Sequence, residues 1–147
     1  MNPRAALACR AVLLGVAAGS RASLGVAAPL LAGRSAVSGP PRAVRVAALL
    51  GVVGELVGDL LPITPSRLRP PGPQSRAATA AVGGVLLARR AGVGVLLPAA
   101  LAAGASVAGT WGGAAWRRWA ARRGPDWPAA LAEDAVALTL ARLATGR

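Results

Sequence analysis

Apolar residues in this chain fall into five stretches, separated by linkers rich in Arg, Pro, Gly and Ser. The first is interrupted by Arg21. The second carries Glu55 and Asp59, the third and fourth carry no charge, and the fifth carries Glu133, Asp134 and Arg142. Helices are therefore predicted at about 11–32, 46–61, 77–88, 91–122 and 128–143, in a single domain spanning 1–147. A membrane span needs about 20 apolar residues. The fourth stretch, Ala91 to Trp116, meets this and has no polar face, its polar groups being Ser106, Thr110 and two Trp indoles. A helix of a soluble protein shows such a face at 3.6-residue spacing. The pattern predicts an all-α, small polytopic membrane bundle of about five helices and no strand. Between the second and third helices, Pro62, Pro65, Pro70, Pro71 and Pro73 remove backbone donors, so Ile63 to Ser75 is predicted to lack regular helix.

Composition sharpens this picture. Hydrophobic residues make up 54% and charged residues 15%, too apolar for a disordered chain. All seventeen basic residues are Arg, His is absent, and Cys9 is the sole cysteine. That set leaves no zinc finger, Ser-His-Asp triad or Cys-His pair. Arg4, Arg10 and AVLLGVAAG resemble the start of a signal peptide, but Ser20-Arg21-Ala22 is a poor cleavage site and the apolar run resumes after it.

The +12 net charge would suit nucleic acid, but the arginines sit at the ends of the apolar stretches and no nucleic-acid motif accompanies them. The partner expected instead is the lipid bilayer, with Arg at headgroups and Trp111, Trp116, Trp119 and Trp127 at interfaces. Localisation is expected in the cell membrane, multi-pass. Nine arginines lie on the side of the N-terminus and six on the other, which favours a cytoplasmic N-terminus.

Small residues recur at helix-packing spacing in Gly15/Gly19, Gly54/Gly58 and Gly109/Gly113. They predict a tight bundle whose Gly-rich faces offer homo-oligomer contacts. Four of the five acids lie inside apolar stretches: Glu55 and Asp59, one helical turn apart, and the neighbours Glu133 and Asp134. Arg21 is the natural counter-charge, since a guanidinium stays protonated where burial would neutralise a carboxylate. These five residues form the candidate buried polar site. A short internal symmetry, a Gly-rich helix leading to an acidic one on each side of the third stretch, suggests a weak inverted repeat.

GELVGDLLPITPSR, the following Arg76, GASVAGTWGGAAWRR and LAEDAVA together resemble a bacterial family of small membrane proteins, domain of unknown function 4126. The resemblance implies a multi-pass protein without assigned activity. It places Glu55, Asp59, Pro62, Pro65, Ser66, Arg67, Glu133 and Asp134 on the family's recurring polar positions. Leu60 departs from the Lys usual there.

Two functions follow as expectations. The first is a small transporter or channel-like protein whose carboxylates bind a proton, cation or polar substrate. The second is a structural or accessory membrane protein whose buried charges only fix helix packing. No nucleophile, metal set or phosphate loop supports an enzyme, and no cofactor is expected.

Overall fold

A computed structural model describes residues 2–33, 40–58 and 68–146. Among them the chain is all-α, with six helices: α1 Pro3–Ser20, α2 Ala22–Ala32, α3 Arg42–Gly58, α4 Gly72–Arg90, α5 Leu96–Ala121 and α6 Asp126–Thr145. No strand occurs among the described residues.

The helix boundaries differ from the sequence expectation for local reasons. The first apolar stretch is two helices, because Arg21 adopts an extended backbone (φ −137°, ψ 104°) between α1 and α2. Helix α4 begins at Gly72, inside the linker expected to lack helix through Ser75. Pro73 falls in its first turn, where a missing N–H costs nothing, and the Ser75 hydroxyl donates to the Gly72 carbonyl at 2.8 Å. The helix expected from Ala91 is α5 and starts at Leu96, because the segment after α4 turns through Gly92 at φ 65°. Helices α1 and α3 extend into Arg-bearing flanks, since Arg is a good helix former. The part of the linker expectation that concerns 63–67 lies outside the described residues.

No helix among the described residues is long and apolar enough to cross a membrane. This overturns the expectation of transmembrane helices and of multi-pass cell-membrane localisation with a cytoplasmic N-terminus. The break at Arg21 leaves pieces of 18 and 11 residues. Helix α3 has 17 residues, with arginines at its start and Glu55 within it. Helix α6 carries Glu133, Asp134 and Arg142. Helix α5 is long enough at 26 residues, but its apolar character comes mostly from Ala and Gly, diluted by Pro98, Ser106 and Thr110.

Helix α1 is the hub, packing on α5, α6, α4 and α2. Its apposition to α5 depends on missing side chains. A Cβ on Gly19 would collide with the Ser106 carbonyl oxygen, and one on Gly109 with the Val16 carbonyl oxygen. Two of the three small-residue seams read from the sequence thus contribute glycines that face one another inside the chain. The interior is correspondingly rich in alanine: Ala11, Ala18, Ala80 and Ala102 form one cluster, and Ala17, Ala137 and Ala141 join Leu24 in another. Helix α3 is peripheral, packed on α2. Leu50, Val53 and Val57 on its outer side are each more than half exposed.

Candidate functional site: a charged centre at the helix break

The break at Arg21 creates two helix ends in the interior, and polar groups must satisfy both. The Arg21 amide closes α1 by donating to the Ala17 carbonyl at 2.8 Å, and its carbonyl accepts from the Leu24 amide at 3.0 Å. Its side chain cannot cap α2, because a guanidinium has no acceptor. The cap comes from α3. Glu55 Oε1 accepts the Ala22 amide at 2.8 Å, and Oε2 accepts the Ser23 amide at 2.8 Å and the Ser23 hydroxyl at 2.5 Å. A carboxylate on the first turn is also favoured by the helix dipole.

The Arg21 guanidinium is buried and turns to α6, where its Nε donates to Asp134 Oδ1 at 2.8 Å and its Nη2 to the same oxygen. Two charge-assisted bonds to a single acceptor make a strong, directional link. From α4, buried Arg76 brings Nη2 to 3.8 Å from Glu55 Oε1, while its Nη1 donates to the Gly72 carbonyl. The α1–α2 junction, α3, α4 and α6 are tied together at this centre.

Glu133 is Asp134's neighbour in sequence but belongs to a different environment. Its side chain is 5% exposed and its Oε2 lies 3.7 Å from Arg117 Nη1 of α5. It contributes to a cavity of about 460 Å³ between α1, α5 and α6, together with Val16, Ser20, Gly112, Trp116 and Val136. Nearby, the Thr110 hydroxyl donates to the Gly19 and Ser106 carbonyls, adding a polar tie to the α1–α5 seam.

Of the sequence-derived candidates, Arg21, Glu55 and Asp134 converge at the helix break, and Glu133 lies at the adjacent cavity. Asp59, Pro62, Pro65, Ser66 and Arg67 lie outside the described residues. Sequence reasoning did not assign Ser23, Arg76 and Arg117 to the site. Arg76 and Arg117 flank apolar stretches and read as end markers. A Ser two residues past an intra-helix Arg could have signalled a new helix start. The described residues contain no group of three or more His, Cys, Asp or Glu that could hold a metal ion. No family model, curated protein or solved structure matches the chain.

Proposed function

We propose that this is a non-enzymatic helical protein, a structural or accessory component that acts through its surfaces, in which the charged centre fixes helix positions. The observation that carries this reading is the engagement of Glu55 and Asp134 by groups of the chain itself. Glu55 holds two backbone amides and a hydroxyl of α2, and Asp134 holds the Arg21 guanidinium. Exchange of either carboxylate with a proton or a cation would cost those bonds, so the alternative of a proton, cation or substrate site at these two acids is disfavoured. Kinship with domain of unknown function 4126 belongs to the proposal, carried by the Glu55 and Glu133-Asp134 segments.

Thermal unfolding in matched sodium, potassium and lithium salts tests the reading. Equal midpoints in the three salts, with a lower midpoint for Glu55→Gln in all of them, are expected. A midpoint raised by one cation, with that rise lost in Glu55→Gln, would make the centre a cation site instead.

Self-association through the outer side of α3 is the second part of the proposal. A Cβ at Gly51 or Gly54 would meet nothing within 4 Å, unlike the glycines of the α1–α5 seam. Leu50, Val53 and Val57 flank them, exposed. This repeats on the surface the small-and-apolar pattern that joins α1 to α5, and a second copy of the chain supplies the same surface in return. Light scattering is expected to give a dimer that Val53→Arg converts to a monomer. A wild-type monomer at all concentrations removes this part of the proposal.

A further inference from the structure

We infer that one end of the bundle, where α1, α3 and α5 begin and α2, α4 and α6 finish, docks on the surface of a bilayer rich in anionic phospholipid. Packing brings these helix ends together. Leu7 of α1, Leu87 of α4 and Ala144 of α6 share one cluster. Leu49 of α3 lines a groove with Leu31 and Ala32 of α2 and Thr145 of α6, and the start of α1 meets the start of α5, where Arg4 lies beside Val93 and Leu97. Exposed arginines gather at this end: Arg4 from α1, Arg42 and Arg45 from α3, Arg89 and Arg90 from α4, and Arg142 from α6. The inference rests on the reading of a protein that acts through its surfaces, and it names a partner for one of them.

No described acid lies among these arginines. Glu55, Glu133 and Asp134 lie towards the other end, round the helix break, and Asp126 opens α6 there. By helical rise, about 15 Å separates Arg45 from Glu55 and about 12 Å separates Arg142 from Asp134, beyond the Debye length of about 8 Å at physiological salt. Helix dipoles account for only part of the cluster. Arg89, Arg90 and Arg142 lie in last turns, where a cation is favoured, but Arg4, Arg42 and Arg45 open α1 and α3, where the dipole disfavours one. An anionic surface offsets that cost and the repulsion among the arginines. The same end carries Leu96 and Leu97 in the first turn of α5, 83% and 66% exposed. An anionic bilayer uses both features, its headgroups meeting the arginines and its acyl boundary the leucines. Nucleic acid would use the charges alone: single strands also need aromatic rings to stack on, and Trp111, Trp116, Trp119 and Trp127 all lie in the later part of α5 or at the start of α6. The contact is made from one side, so it needs no helix long and apolar enough to cross, and the described residues hold none.

Vesicle co-sedimentation of the full chain tests this. The probes are vesicles of phosphatidylcholine alone, vesicles with phosphatidylserine as about one-third of the lipid, and a short DNA duplex at equal phosphate concentration. Wild type is expected to bind the phosphatidylserine vesicles, to leave phosphatidylcholine vesicles unbound and to bind DNA more weakly. A basic residue near an anionic surface strengthens binding about fivefold, so neutralising Arg89 and Arg90 together as glutamines should weaken vesicle binding about tenfold or more. The control pair is Arg118→Gln with Arg122→Gln, which removes the same charge from exposed positions in the last turns of α5 and should change binding less than about threefold. Circular dichroism checks that each variant stays helical, and if the α4 pair does not, Arg42→Gln with Arg45→Gln replaces it. No binding to phosphatidylserine vesicles overturns the inference, and does so alone if Glu55→Gln still lowers the melting midpoint. Equal losses in the α4 and α5 pairs, which would mean attraction by net charge, or tighter binding to DNA than to the vesicles, also overturn it.

Discussion

Glu55 caps a helix to which it does not belong, its carboxylate accepting both the amide and the hydroxyl of Ser23, 32 residues earlier in the chain. The relationship follows from the residue at the break. A helix that starts after Ser, Thr, Asp or Asn carries its own acceptor. Helix α2 starts after Arg21, whose side chain makes no capping bond, so its first amides depend on an acceptor from elsewhere. Placing that acceptor on α3 makes the start of α2 and the docking of α3 a single event.

Glu55→Ala is expected to destabilise the fold by about 2–3 kcal/mol, combining a lost cap with two stranded amides. Glu55→Gln keeps one acceptor oxygen and should cost about half as much. Urea denaturation followed by circular dichroism gives both values.

Ser23→Ala removes only the hydroxyl bond to Glu55 and should cost about 1 kcal/mol. Ser23→Asp places a second carboxylate beside the first and should be the more damaging change, by like-charge repulsion. If Ser23→Asp were the better tolerated of the two in the same denaturation assay, the carboxylate cap would be wrong.

The glycines divide into two groups with opposite expectations. Gly19→Ala and Gly109→Ala push a methyl group into the backbone of the facing helix and should cost about 1–3 kcal/mol or more. Gly104→Ala meets nothing within 4 Å and should stabilise α5 by about 0.5–1 kcal/mol through helix propensity. Melting temperatures of the three variants are expected to move in these opposite directions.

The all-α class was legible because the long apolar runs contain few strand-forming patterns and are punctuated by Pro and Gly. The small-residue seams were legible from their four-residue spacing: Gly19 and Gly109 face one another in the fold, and Gly15 lies against Ala102. The helix break was not. Arg21 stood out as a charge inside an apolar run, but its extended backbone is held by partners on α3 and α6 whose arrival no local pattern encodes. The membrane reading failed on the meaning of alanine and glycine. Alanine raises the apolar count and glycine interrupts it with no polar group, yet here both serve mainly as spacers that let helix backbones touch. Arg76 and Arg117 read as end markers of apolar stretches, because the pairing of an arginine with an acid distant in sequence, Glu55 or Glu133, leaves no local signal.

The central claim is that the charged centre works as a lock between the helix break and α6, and a double-mutant cycle on Arg21 and Asp134 tests it most directly. Arg21→Ala and Asp134→Ala should each cost about 3–5 kcal/mol, because each strands a charge in a largely buried site. The double variant should cost little more than either single one, giving a coupling of about 3 kcal/mol. Single-variant losses that simply add, with coupling below about 0.5 kcal/mol, would show that Arg21 and Asp134 act independently and would contradict the account.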